Sequence, residues 1–298
     1  MYDLIIIGAG PAGLSAAIYA GRSGKKALLL EEKNYGGQIV NTPDIENYPG
    51  ISHISGFEFA MELFKQAESF GAEIKYEKAL SISGDDTKVV TTNKGQYEGK
   101  AVIIATGAKN RKLGLGNEDS LVGRGVSYCA TCDGMFYRDK VVAVNGGGNT
   151  AVEDALFLAN YCKKVYIVHR RDEFRADEKD VAKLKEKDNI ELVLNCTIKE
   201  IVADEMVKGI VVVDKTTNEE RQIDVNGLFI AIGQVPDNGD FENVVELENG
   251  YVKADESCYT NTPGIYVAGD CRTKEVRQLA TAAADGAIAA LAACANMD

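Results

Sequence analysis

Two glycine-rich turns constrain this chain more than any other feature. The first, Gly8-Ala9-Gly10-Pro11-Ala12-Gly13, follows an apolar run at residues 2–7 and opens a small-residue helix at residues 14–21. In a Gly-x-Gly-x-x-Gly turn between strand and helix, Gly8 permits the tight turn and Gly10 lets backbone approach a pyrophosphate. Gly13 lets the helix pack close to the strand, and the helix N-terminus, at Ala12, faces the anion. The second turn, Gly146-Gly147-Gly148-Asn149-Thr150-Ala151, follows a strand pattern at residues 140–144 and opens a helix running to about residue 160. Ala151 takes the close-packing position there. Two such turns predict an α/β chain with two Rossmann-like nucleotide-binding domains.

The residues after the next strand of each module carry opposite charge. A strand at residues 26–30 ends in Glu31, 23 residues beyond Gly8, where a carboxylate binds ribose hydroxyls and repels a 2′-phosphate. The first module therefore suits an unphosphorylated ribose, as in FAD or NAD. In the second module, a strand at residues 164–168 ends in His169-Arg170-Arg171, with Arg175 close behind. Guanidinium groups at that point pair with a 2′-phosphate, so this module should prefer NADPH. The competing reading is a solvated basic helix start balanced by Asp172 and Glu173.

Between the modules lies Cys129-Ala130-Thr131-Cys132-Asp133. A Cys-x-x-Cys pair can close a small disulfide, and a neighbouring acid can move the proton that thiol–disulfide exchange requires. Zinc would need four ligands. The other five cysteines form no second close pair, and His53 and His169 lack ligand spacing, so no metal is expected. His53 has no evident partner and reads as a surface or capping residue. A net charge of −12 argues against nucleic acid or an anionic membrane as partner. No run is long and apolar enough to span a bilayer, no secretory signal is visible, and an odd number of cysteines, 7, suits a reducing cytoplasm.

Further residues gather at strand ends and in a long polar loop. Gln38, after Gly36-Gly37, and Asn47, in the loop at residues 41–50, offer amides to a polar ring. Thr106 and Gly107 end one buried strand, and Ile232 and Gly233 end another, each bringing backbone near a ligand. Asp270, in Ala268-Gly269-Asp270, can take the polar chain of a flavin cofactor, and Arg277-Gln278 leads into a final small-residue helix whose N-terminus can face the flavin.

These motifs, together with Glu46-Asn47-Tyr48-Pro49-Gly50 and His169-Arg170-Arg171-Asp172-Glu173-Phe174-Arg175, span the chain and closely resemble the low-molecular-weight, bacterial-type thioredoxin reductases. The resemblance implies a discontinuous FAD domain at residues 1–113 and 245–298, an inserted NADPH domain at residues 114–244 that carries the redox disulfide, and a homodimer. It implies electron flow from NADPH through FAD and the Cys129–Cys132 disulfide to thioredoxin, with Asp133 supplying a proton. Because cysteines and NADPH fingerprint share one domain, that domain is expected to swing on linkers near residues 110–116 and 234–246. Asn145 departs from the family, which usually has an apolar residue before the glycines.

Related flavoprotein reductases are the alternatives. A ferredoxin-linked form lacks the cysteine pair or has degraded NADPH motifs, and a peroxiredoxin-linked form carries extra N-terminal redox domains. A nucleotide sensor would have no need of two fingerprints plus an adjacent acid.

Overall fold

The structure, a computed structural model, describes residues 1–42 and 44–297; Pro43, inside the polar loop, and Asp298 lie outside the described residues. The chain forms two compact units, Met1–Lys109 together with the segment from Val235 onward, and the inserted Asn110–Gln234.

In the first unit, β1 (Tyr2–Ile7), α1 (Pro11–Arg22), β2 (Ala27–Glu31), α2 (Gly56–Ser69) and β3 (Glu73–Tyr76) lead into β4 (Ala79–Ser83), β5 (Lys88–Thr92) and β6 (Gln96–Ile104). The six strands lie in the order β3-β2-β1-β6-β5-β4. β1 is parallel to both β2 and β6, which explains its unbroken apolar run: Leu4, Ile5 and Ile6 are covered on both faces. A short strand, β7 (Ala108–Asn110), leads into the second unit.

The inserted unit has its own parallel sheet. Its elements are β8 (Val126–Ser127), α3 (Ala130–Asp133), β9 (Val141–Asn145), α4 (Asn149–Leu158), β10 (Lys164–Val168), α5 (Glu178–Glu186) and β11 (Ile190–Val193). An antiparallel meander follows, β12 (Cys196–Ala203), β13 (Val207–Asp214) and β14 (Glu220–Asp224), then β15 (Gly227–Ile230) returns to the main sheet. The sheet order is β11-β10-β9-β15-β8, which puts the strand leading to the cysteines at an edge. One face is filled by Val142, Val144, Val152, Leu158 and Phe229, the other by Ala143, Ile210, Val212 and Leu228.

β16 (Gln234–Pro236) pairs with β7, and the chain then completes the first unit. After β17 (Leu247–Glu248) and β18 (Tyr251–Val252), β19 (Ile265–Val267) adds to β6 alongside Val102–Ile104, and α6 (Leu279–Ala295) packs on α1. This packing explains the small residues of both helices. A Cβ at Gly286 would lie 2.1 Å from the Ala12 carbonyl oxygen of α1. Phe241, Val245 and Val252 cover the opposite sheet face.

A buried charge network pins the segment between β19 and α6. Asp285 accepts bonds from Arg272 (2.9 and 3.1 Å), from Lys274 (2.8 Å) and from the Gly269 N–H (3.0 Å). Arg272 is only 2% exposed, so its charge is held by that carboxylate and by carbonyls, as burial of an ion requires.

Substituting Gly286→Val forces α1 and α6 apart at a backbone contact. Urea denaturation should show a loss of about 1–3 kcal/mol, the usual range for overpacking. An unchanged midpoint would contradict this account of the helix pair.

Candidate active site

The cysteine pair sits where an edge strand turns into one helical turn. β8 ends at Ser127, Cys129 occupies the N-cap position in extended conformation, and α3 carries Cys132 and Asp133. The two cysteines form a disulfide with their Cα atoms 5.3 Å apart. Cys129 Sγ lies 3.3 Å from Thr131 Oγ1. Asp133 is placed by two contacts: its N–H donates to the Cys129 carbonyl (3.1 Å), and its Oδ2 accepts the Ser127 hydroxyl at 2.7 Å. Its Oδ1 is buried without a hydrogen-bond partner. Burial raises the Asp133 pKa, and the Ser127 hydrogen bond opposes that rise. The five remaining cysteines are buried thiols.

Behind the pair, Tyr128 donates to Glu118 Oε1 at 2.6 Å. Glu118, 1% exposed, also accepts the N–H groups of Leu113 (3.0 Å), Gly114 (2.9 Å) and Leu115 (3.3 Å). Burial, then Glu118, raises the Tyr128 phenol pKa.

In the first unit the fingerprint residues touch as the motif requires. Gly8 has φ +108°, and a Cβ there would meet the Ala105 carbonyl at 2.3 Å. A Cβ at Gly13 would lie 1.8 Å from the Gly8 carbonyl. Gly10 caps α1, Pro11 and Ala12 begin it, and Gly37 lies against Gly10. Glu31 accepts the Ala9 N–H (2.9 Å) on one oxygen and the Lys33 N–H (2.8 Å) on the other, so its carboxylate also braces the turn. Around this turn, Gln38 donates to the Ala108 carbonyl, Asn47 donates to Gln278 (3.4 Å), and Thr106 donates to Asn238 (2.7 Å). Gly107 has φ +70° with open space beside it. Arg277 donates to the Asp270 carbonyl (3.3 Å) and lies over the Tyr251 ring. Asp270 Oδ1 is buried with no partner, and burial raises its pKa against the pull of Lys274 and Arg277.

The second fingerprint is built differently in one respect. A Cβ at Gly146 would strike the Ala231 carbonyl at 2.3 Å, and one at Gly147 would strike the His169 ring at 2.1 Å. His169 is therefore packed onto the turn. Its Nε2 lies 3.1 Å from the Glu173 carbonyl, its ring stacks on Phe174, and burial lowers its pKa. Gly148 faces open space, Ala151 is buried, Thr150 is exposed, and Asn149 accepts the Asp177 N–H at 3.0 Å. The Arg175 N–H donates to the Gly147 carbonyl at 2.7 Å. Arg170, Arg171 and Arg175 are exposed, and among the described residues none of them forms an ion pair, with Asp172 and Glu173 or with any other acid. Half-buried Ile232 and exposed Gly233 follow β15. Asn145 ends β9, its carbonyl accepting the Ala231 N–H at 2.8 Å, and nothing in the structure explains its side chain.

The family model for pyridine nucleotide-disulphide oxidoreductases matches residues 2–287. The chain belongs to that family. It is similar to a thioredoxin reductase of Bacillus subtilis, 43% identical over 293 residues, with 97% of this chain and 93% of the relative covered. Its fold is similar to the crystal structure of thioredoxin reductase from Streptococcus pyogenes, with a TM-score of 0.95, 41% identity, and 100% and 98% of the two chains covered. It is also similar to thioredoxin reductase from Giardia duodenalis, with a TM-score of 0.91 at 34% identity, covering 98% and 97%.

The residues of this oxidoreductase fit the groups its family implies. Asp270 presents a buried, unsatisfied carboxylate oxygen, an acceptor that lacks a hydroxyl donor. Gly107 and Gly148 leave backbone bare where a ligand can approach. Sequence reasoning passed over Ser127, Glu118, Asn238 and the Asp285 network. It also gave His53 no partner, whereas His53 Nδ1 lies 2.6 Å from Asp44 Oδ1. Residue type alone carries no signal for any of these contacts.

Asp270→Asn should stabilise the protein stripped of bound dinucleotide by about 1–3 kcal/mol at neutral pH, since a desolvated carboxylate whose Oδ1 lacks a hydrogen bond is replaced by a neutral amide. A carboxyl whose folded pKa is raised destabilises above that pKa, so the gain should vanish as pH falls into the ordinary carboxylate range. Melting curves across pH check both the sign and the window.

Proposed function

We propose that this chain is a thioredoxin-disulfide reductase, passing electrons from NADPH through FAD and the Cys129–Cys132 disulfide to thioredoxin. The observation that carries the reading is a disulfide directly followed by a half-buried acid, in a chain with two dinucleotide turns of opposite charge character. When bound, NADPH and FAD supply the hydride chemistry that connects a nicotinamide to a disulfide. Opening Cys129–Cys132 takes up two electrons and leaves one sulfur as thiolate, while the other takes the proton held by Asp133. The thiolate then attacks the disulfide of thioredoxin to form a mixed disulfide. The remaining thiol returns its proton to Asp133 and resolves it, Cys129–Cys132 closes, and two electrons leave with the partner, whose sulfurs take their protons from water.

In this reading Gly8, Gly10, Ala12 and Gly13 hold the FAD pyrophosphate and Glu31 its ribose hydroxyls. Asp270 bonds the flavin's polar chain, and Gly37, Gln38, Asn47, Thr106, Gly107, Arg277 and Gln278 surround it. For NADPH, Gly146, Gly148, Asn149, Thr150 and Ala151 meet the pyrophosphate, and Arg170, Arg171 and Arg175 the 2′-phosphate. His169, neutral and packed on the turn, shapes that site beside Ile232 and Gly233. Guanidinium groups without ion-pair partners favour NADPH as donor over a ferredoxin. The reading includes a homodimer, supported by exposed apolar Ile288 and Leu291 on α6 and Tyr19 on α1. It includes a cytoplasmic location, supported by the buried free thiols. Among the described residues, no helix is long and apolar enough to cross a membrane.

Replacing both Cys129 and Cys132 by Ser should abolish NADPH-dependent thioredoxin reduction. NADPH oxidation by a small artificial acceptor should persist. Surviving thioredoxin reduction would overturn the disulfide route.

Replacing Arg170 and Arg171 by Ala should raise the KM for NADPH about tenfold to a hundredfold, the worth of one or two charge-assisted bonds. The KM for NADH should stay within about twofold. Equal losses would contradict the phosphate role.

A further inference from the structure

Ser127 has no part in the electron path described above, yet it touches both ends of the redox turn. Its Oγ lies 2.7 Å from Asp133 Oδ2, accepts the Cys129 N–H at 3.1 Å, and lies 3.3 Å from the Cys129 carbonyl. A hydroxyl carries one hydrogen and two lone pairs. The Cys129 N–H occupies one lone pair, so the hydrogen has two acceptors, and the closer is Asp133 Oδ2. Ser127 is 3% exposed and lies on β8, held by the sheet, so water does not compete for that hydrogen. Meanwhile Asp133 Oδ1 is buried and unpartnered.

We propose that Ser127 is the positioning residue that divides the labour of the two Asp133 oxygens, fixing Oδ2 as a permanent acceptor and leaving Oδ1 to carry the proton. This rests on the thioredoxin reductase reading. As the disulfide opens, two electrons enter, the S–S bond breaks, and the proton moves from Oδ1 to a departing thiolate. As thioredoxin's disulfide re-oxidises the pair, two electrons leave and Oδ1 recovers a proton. The same hydroxyl also fixes the backbone at Cys129, so acid and sulfur keep one register through both half-reactions. When Oδ1 is protonated, Oδ2 is the carbonyl oxygen of the acid and still accepts the Ser127 hydrogen, which keeps the hydroxyl bonded in either state.

Of the titratable groups near this turn, Tyr137 faces Asp133, and Tyr161, with Arg138, Asp154 and Cys162 about it, faces Gly134 next to it. Burial pushes the Tyr137 and Tyr161 phenols up to about 12 and the Cys162 thiol up to about 11. These stay neutral in the working range. Asp154, on α4, which packs on α3, is pushed up to about 7 by burial, so its own ionisation enters the same pH profile. The test has to separate it from Asp133.

The test is kcat/KM for oxidised thioredoxin, at saturating NADPH, across pH in the holoenzyme. A hydrogen bond to the charged carboxylate favours that form, so Ser127→Ala should move the Asp133-dependent limb to higher pH by about one unit. Ser127→Thr keeps the donor and should leave the limb in place, and serves as the second reading. In an Asp133→Asn background, which removes this ionisation and leaves Asp154, Ser127→Ala should produce no shift. A uniform fall in rate with the limb unmoved would overturn the proposal. So would a shift that persists in the Asp133→Asn background, or one shared equally by Ser127→Thr. Wild-type turnover of thioredoxin tests the underlying reading separately, because its absence removes the limb altogether.

Discussion

A carboxylic acid half-buried beside a disulfide, with one oxygen bonded and the other bare, sets the terms for the inserted unit. Burial penalises the Asp133 charge and raises its pKa above the ordinary carboxylate range, and the Ser127 hydrogen bond stabilises the anion and opposes that rise. Both conditions depend on architecture. The edge strand β8 fixes Ser127, one helical turn returns the chain to place Asp133 over the Cys129 carbonyl, and α4 packs on that turn to exclude water. The parallel sheet exists, in these terms, to deliver a two-residue strand end to one place.

The two units repeat one backbone solution and differ in what surrounds it. Each needs glycine where a Cβ would strike a carbonyl, at Gly8 against Ala105 and at Gly146 against Ala231. The first surrounds its turn with acids: Glu31, which braces the Ala9 N–H, and Asp270, whose segment is tied down by the Arg272–Asp285 network. The second surrounds its turn with exposed guanidinium groups and closes it with the Arg175 backbone and the His169 ring. In the thioredoxin reductase reading, one fold thereby discriminates two nucleotides by the charge placed around the same glycine turn.

Much of this was legible in the sequence because steric need leaves a mark on residue choice. Glycines at fixed offsets, apolar runs buried on both faces, and the change of sign from Glu31 to Arg170 can all be read without coordinates. Element ends shifted by a residue or a few: Pro11 at the first helical position starts α1 earlier than residue 14, and β2 runs through Glu31. What stayed hidden were groups whose importance comes from tertiary neighbours. Ser127 is one serine among many until β8 places it 2.7 Å from Asp133, and Glu118 is one acid among many until three N–H groups and Tyr128 converge on it. Nor does spacing show that Gly147 is required by His169, since that contact closes only when β10 lies beside β9.

The central claim is that one disulfide stands between a nicotinamide-reduced flavin and thioredoxin. An anaerobic titration of the purified holoprotein, followed by visible absorbance, tests it most directly. The account predicts a yellow protein that NADPH bleaches and oxidised thioredoxin recolours, in proportion to the thioredoxin added. A protein that NADPH bleaches but thioredoxin leaves colourless would contradict it.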